Sequence, residues 1–494
     1  MSLAKATAKN ISYLLVARVL FRFLNAIALI YAARYLGNDR YGMFTTATAW
    51  ANAFIALNDV GMSTLMLRAG AREPERMNVY FGNTLLVESV LSIVIWGGLI
   101  GVGLSLYDTT TAWLMVILGA SNLVYEFRKV MRGVFRSHSN LRPIALTELL
   151  NGATFCAATF AIIFFVKNRD LGLYGIAHAS LWTDIVSVAV LCIVTVRILK
   201  PRVDISQLWG MVKQAWPFTL YNLFYMIYFQ VDQIIISLIL TSSAVGVYSA
   251  PTQIVTVLLF IPIMVFQVTT PLMYKFAAED TSAYARAHRI IWRYLSAFSV
   301  PSGIGIWLLA EPIISLVYGK NYFHHDPALF HQAVLIMQIF GWFLAIRFIG
   351  IGHGNALTTS DRQKLRARMQ ALSVLFNIIL DTILIVFYGP VGAAVATLIT
   401  EVGIAAFTLF VAAKHVHESL ISILQGLLPI VAATAVMAGI LTLISQHLSV
   451  IMLVIFGMGI YLTALWIFRF FTPKDKRLLK EIFSSRKGTK TPVT

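Results

Sequence analysis

Three residues on the first apolar stretch have the spacing to do chemistry. Arg18, Arg22 and Asn25 stand at i, i+4 and i+7, which places them on one face of a helix. Two guanidiniums and an amide on one stripe form a donor-rich surface suited to a phosphate or an acidic sugar. Two plainer readings remain open. The arginines could pair with Asp59, Glu88 or Asp232 for packing alone, or Arg18 could extend its stem back to the aqueous boundary.

A second set lies further on. Tyr221, Tyr225, Tyr228 and Asp232 follow spacings of four, three and four, with Gln233 beside them. An aromatic face edged by hydrogen-bonding groups suits sugar rings, and packing between helices accounts for it equally well. Asp59 and Asp232 are candidates for a switch linked to a proton or a cation, because apolar surroundings favour the uncharged carboxyl. Arg347 is the other cation within an apolar run and comes from the second half of the chain.

These side chains need elements that can hold charges in an apolar setting. The chain has 494 residues, 58% of them apolar and only 12% charged. A soluble domain carries about 25% charged residues, so this chain cannot coat a water-facing surface of its size. Its solvent is lipid, and a span needs about 20 apolar residues. Apolar runs fall near 11–35, 41–67, 79–107, 111–135, 143–167, 171–196, 215–240, 244–273, 287–309, 328–356, 369–388, 390–413, 419–445 and 448–471. The fold expected is an all-α integral membrane protein of about 14 transmembrane helices. The first run is too long for a signal-peptide core and reads as a retained span. Pro262, Pro271 and Pro301 are expected to kink the runs that contain them. Cys156 and Cys192 sit in apolar runs and supply neither a disulfide framework nor a metal spacing.

The connections alternate in charge. The segments 1–10, 68–78, 126–142, 197–213, 275–293, 361–368, 414–418 and 469–494 hold most of the 39 Lys and Arg. Such an excess marks the cytoplasmic side. Both termini are then cytoplasmic, which requires an even number of spans. The net charge of +17 reflects this topology and contact with anionic membrane lipids. Basic residues scattered over short loops do not make a nucleic-acid surface.

The chain also repeats. Gly175-Ile-Ala-His-Ala-Ser-Leu-Trp-Thr-Asp184 matches Gly392-Ala-Ala-Val-Ala-Thr-Leu-Ile-Thr-Glu401, and Tyr41-Gly42 matches the stretch Val245 to Tyr248. Six spans separate the copies, so the two halves have the same orientation. Parallel repeats around a central cavity are transporter architecture. The expected organisation is an N-lobe at 1–200, a C-lobe at 201–415, spans thirteen and fourteen at 416–471 and a basic cytoplasmic tail at 472–494. Asp184 and Glu401 occupy equivalent places, which points to a symmetric structural role. No catalytic motif appears: there is no HExxH, GxSxG, CxxC pair or phosphate-binding loop.

Three blocks carry a family resemblance. The first is Ala33 to Gly42, followed by Asp59-Val-Gly61 and Arg68. The second is Asp232 to Ser237, then Val245 to Ala250. The third is Glu311-Pro, Tyr318-Gly319 and Tyr388 to Thr397. In order and spacing the chain resembles the polysaccharide (Wzx-type) flippase branch of the multidrug/oligosaccharidyl-lipid/polysaccharide exporter superfamily. The resemblance implies a flippase that moves undecaprenyl-pyrophosphate-linked oligosaccharides across the bacterial inner membrane for O-antigen, capsule or exopolysaccharide synthesis. It implies that Arg18 and Arg22 meet the pyrophosphate, and that the chain is a transporter rather than an enzyme. No cofactor is expected; proton or sodium coupling is the expected drive, and a polymerase or export complex the expected partner. The alternative in the same superfamily is a cation-coupled multidrug antiporter, whose cavity should be acidic and free of an arginine stripe.

Overall fold

The computed structural model describes residues 3–58, 61–137, 141–215, 219–359, 362–416 and 420–471. Among these the chain is helical throughout. Asp59 and the tail from 472 lie outside the described residues.

Each of the fourteen apolar runs carries a helix or a consecutive pair. The first half contains α1 (Leu3–Leu36), α2 (Asn38–Ala56), α3 (Met62–Arg72), α4 (Met77–Leu106), α5 (Thr109–Ser137), α6 (Arg142–Phe165) and α7 (Arg169–Val196). A short helix, α8 (Ile205–Ala215), leads to α9 (Thr219–Tyr228), α10 (Val231–Ile239), α11 (Ser242–Leu258) and α12 (Phe260–Glu279). The rest are α13 (Thr281–Leu308), α14 (Ala310–Val317), α15 (Pro327–Thr359), α16 (Gln363–Tyr388), α17 (Pro390–Val416), α18 (Leu420–Ile444) and α19 (Val450–Ile467).

Among the described residues ten helical stretches are long and apolar enough to cross a membrane, one of them running through α11 into the start of α12, or eleven if the pair α13 and α14, bent by 77°, is one span. α5 is not among the ten, because Glu126, Arg128, Lys129, Arg132 and Arg136 interrupt its apolar sequence. Three spans expected as single helices are interrupted. Span two becomes α2 and α3. Span seven breaks at Phe229-Gln230 into α9 and α10, without a proline or glycine to mark it. Span eight breaks between Leu258 and Phe260. There Pro262 has no N–H to offer the Leu258 carbonyl. Pro301 stays inside an unbroken α13.

The helices group into two compact units. One comprises residues 1–250, 318–329 and 381–390, and the other 251–317, 330–380 and 391–494. In the first unit α1 packs on α6, and α5 packs on α2, α4 and α7. Leu14 and Ala17 meet Met131, Phe135, Ile144 and Leu191 in a shared core. α8 docks through Met211 and Ala215 on a cluster from α3, α4 and α5, while Trp209 stays exposed. In the second unit α18 packs on α13 and α19. Tyr461 donates to the Ala297 carbonyl at 2.7 Å. Gly303 and Gly341 let α13 and α15 touch, since a Cβ on either would lie 2.3–2.5 Å from the other's carbonyl oxygen. Large apolar side chains such as Phe165, Phe387, Leu443 and Trp466 point outward, as a lipid-facing surface requires.

Candidate functional site

The first unit buries a polar network between α1, α5, α6 and α7. Arg18 reaches Glu148 at 3.3 Å, and Arg132 reaches the same carboxylate at 3.3 Å. Arg128 pairs with Asp184 at 3.1 Å. Asp184 also accepts from Ser121 at 2.8 Å and from Asn151 at 3.0 Å. The Tyr125 ring lies 4.9 Å from the Arg128 guanidinium and 5.0 Å from that of Arg132, a cation–π arrangement that shields both charges. Arg128, Arg132, Glu148 and Asp184 are all buried.

The stripe expected on α1 therefore meets different partners along its length. Arg18 is half-buried and its carboxylate partner is Glu148, supplied by α6. Arg22 is exposed and Asn25 half-buried. Glu88, buried on α4, instead accepts from Ser63 at 2.8 Å.

The second unit holds an equivalent clamp. Arg347 on α15 donates to Glu401 on α17 at 2.5 Å, and both are buried. Glu401 is the repeat counterpart of Asp184, and α15 and α17 are the counterparts of α5 and α7. Each unit thus ties two of its helices through an arginine and an acid. Removing one member takes this ion-pair partner from a buried charge, a change that costs about 3–5 kcal/mol in buried pairs. We expect Arg347→Met to destabilise by that order, and Arg347→Met with Glu401→Leu to recover most of it. Thermal unfolding of the single and double variants in detergent checks this; equal loss in both would contradict it.

A third constellation lies back in the first unit. Asp232, at the start of α10, accepts a short hydrogen bond from Tyr248 of α11. Asp381 of α16 lies near enough to Asp232 for the two carboxyls to interact electrostatically. Asp381 is fully buried and Asp232 nearly so. Two ionised carboxyls side by side in an apolar setting would repel each other strongly, because like charges interact strongly at low dielectric. No sequence pattern joins Asp381 to Asp232, because the two stand far apart in the chain.

Around this pair the expected aromatic face is interrupted. Tyr228 is buried against Phe229, ring centroids 5.5 Å apart. The break at Phe229-Gln230 separates it from the helix that carries Asp232, and Gln233 is half-buried. Tyr221 and Tyr225 lie on α9, with side chains outside what is described.

At the N-terminal ends of α2 and α11 the helices cross almost backbone to backbone. A Cβ on Gly42 would lie 1.8 Å from the Ser242 oxygen, and one on Gly246 would lie 2.0 Å from the Asn38 oxygen. Asn38 donates to Ser243 at 2.5 Å and Ser249 to Thr45 at 3.1 Å. Tyr322 and Tyr318 anchor the crossing by donating to the Gly246 and Ala250 carbonyls at 2.9 and 2.8 Å. The reciprocal contact joins the two segments that match in sequence.

Comparison with known proteins places these features. The family model described as "Polysaccharide biosynthesis protein" matches residues 7–277, and the MatE model matches 217–383. The chain is 25% identical over 397 residues to a protein of Haloferax volcanii named "Probable flippase AglR", covering 78% of this chain and 79% of that one. A "Probable low-salt glycan biosynthesis flippase Agl15" from the same organism is 25% identical over 34% of each chain. Among solved structures, the lipid II flippase MurJ in an inward closed conformation superposes with TM-score 0.72 at 16% identity, over 97% of this chain and 99% of that one. An inward-facing multidrug MATE transporter superposes with TM-score 0.67 at 14% identity, over 80% and 94%. These two similarities establish the fold.

Proposed function

Since this chain belongs to the polysaccharide biosynthesis protein family, we propose that it is a flippase for a polyprenyl-diphosphate-linked oligosaccharide, working by alternating access. The observation that carries this reading is the basic polar interior of the first unit, where arginines from α1 and α5 outnumber the acids they meet. A pathway for organic cations would favour the opposite sign. The name of the Haloferax volcanii relative supports the same class.

The proposed cycle needs no covalent chemistry. The charged head group enters from the cytoplasmic side and exchanges water for guanidinium contacts, while the isoprenoid tail stays in lipid. On the way in from the cytoplasmic end of α1 the head group passes Arg18 before it reaches Arg22, which is exposed. Opening to the far side breaks the seam at Gly42 and Gly246. The drive comes from a proton or a sodium ion taken up by Asp232 and Asp381. Both termini face the cytoplasm of the plasma membrane, and the product passes to a polysaccharide polymerase or ligase.

In cells depleted of the chain, the lipid-linked oligosaccharide should accumulate with its sugars accessible only from the cytoplasmic face. Surface polysaccharide should fall at the same time. Unchanged sidedness of the intermediate in depleted cells would count against the proposal.

A further inference from the structure

We propose that α5 carries a diphosphate seat: a ladder of Arg128, Arg132 and Arg136, completed by Arg18 of α1. This rests on the transport reading above and assigns its anionic group a place that α1 alone does not provide.

The three α5 arginines stand at i, i+4 and i+8, so they share one helical face. They climb inward from the end of the helix. Arg136 is exposed, Arg132 is 8% exposed and Arg128 is 4% exposed. Arg136 lies within electrostatic reach of both Arg18 and Arg132. Against these four cations stand two carboxylates, Glu148 and Asp184. Among the described residues the cluster therefore carries two surplus positive charges. Buried charge without a counter-charge is costly, and in membrane proteins it marks a ligand path more often than a structural tie.

The hydrogen bonding agrees with the charge. Arg128 Nε and Nη1 and Arg132 Nε are buried and make no hydrogen bond among the described residues. The acids have little left to give: Glu148 serves two arginines, and Asp184 already accepts from Ser121 and Asn151. The unused donors point to an anion with many acceptor oxygens.

The second unit supplies an internal control. Its Arg347–Glu401 pair ties α15 to α17 without an arginine ladder on the same helix. Four and eight residues beyond Arg347 stand Ile351 and Asn355. The helix tie does not need the two further arginines, so their presence in the first unit calls for another cause. A diphosphate esterified at both ends has two ionised phosphates, which match the surplus of two. Guanidinium forks bind such oxygens in pairs. Tyr125, exposed along one edge over Arg128 and Arg132, marks where the anion enters.

The test uses the purified full chain in phosphatidylcholine nanodiscs. The probes are undecaprenyl diphosphate, neutral undecaprenol, inorganic diphosphate and phosphatidylglycerol. Undecaprenyl diphosphate should raise the Tm, inorganic diphosphate should do so at higher concentration, and the other two should not. Arg132→Gln should weaken diphosphate binding at least tenfold. It should also raise the Tm of the unliganded protein, because Arg18 still holds Glu148 while a buried surplus charge is gone. Arg136→Gln, at an exposed position, should weaken binding without lowering Tm, and it serves if Arg132→Gln does not fold. An Arg132→Gln protein with lower Tm and unchanged diphosphate affinity would show a purely structural arginine and overturn the proposal. Stabilisation by phosphatidylglycerol equal to that by the diphosphate would also overturn it, in favour of a headgroup site. Glycolipid exchange unaffected in the Arg132→Gln, Arg136→Gln double variant would sink the seat and leave the transport reading intact. Diphosphate binding without exchange would do the reverse.

Discussion

Asp381→Asn and Asp232→Asn are each expected to lower gradient-driven glycolipid transport at least tenfold while leaving the protein folded. The carboxamide keeps the shape of the carboxyl and its hydrogen-bonding reach, and it removes the like-charge repulsion inside an apolar interior. Fold stability should therefore hold or improve. What is lost is the ability to take up and release a positive charge between the two groups. In the wild type the initial rate should change with pH or with sodium concentration. In the double Asn variant any residual rate should be indifferent to both. Tyr248→Phe removes the hydroxyl that donates to Asp232. It should shift the pH or sodium dependence without abolishing it, since both carboxyls remain. Initial rates in proteoliposomes under imposed proton and sodium gradients give the readout. Full, gradient-responsive transport by the double Asn variant would remove these residues from the coupling scheme.

The seam between α2 and α11 yields the second large effect. Gly42→Ala would place a methyl group 1.8 Å from the Ser242 oxygen and 2.7 Å from its carbon. The obstacle is backbone rather than a flexible side chain, so the helices themselves must separate. Overpacking of this kind costs about 1–3 kcal/mol or more, and here it falls wholly on the conformation in which the seam is closed. Gly246→Ala should act alike, through the Asn38 backbone. The expected result is a tenfold or greater loss of transport with the protein still inserted. A disulfide test reads the seam directly. With Cys156 and Cys192 replaced by Ser, cysteines at positions 38 and 243 should cross-link readily, because Asn38 and Ser243 touch at 2.5 Å. Adding Gly42→Ala should abolish the cross-link. Retained cross-linking and normal transport would mean that the close approach is dispensable.

Much of the architecture could be read in the residues because lipid imposes a simple rule. A span must be apolar over its length and satisfy its own backbone, so each apolar run had to become a helix or a pair. The break at Pro262 follows from a missing N–H. The break at Phe229-Gln230 has no local signal, and it interrupted the aromatic face built on an unbroken helix. The repeat was legible in Asp184 and Glu401, and the structure adds an arginine partner to each. Gly42 and Gly246 matched in sequence, but their mutual contact depends on tertiary packing.

The α5 ladder was hidden for a physical reason. Arg128, Arg132 and Arg136 lie near a cytoplasmic loop, so they counted as orientation charges. Only the extension of α5 to Ser137, packed against α1, α6 and α7, turns two of them into buried groups. The i, i+4, i+8 spacing was the one available clue. The proximity of Asp232 and Asp381 had none, because it joins distant segments.

The central claim is transport of a lipid-linked glycan, and leaflet exchange tests it most directly. The purified chain would be reconstituted with a fluorescent polyprenyl-diphosphate oligosaccharide, with a cationic dye followed in parallel. The account predicts protein-dependent exchange of the glycolipid and no movement of the dye. Dye transport without glycolipid exchange would contradict it and make the chain a drug antiporter.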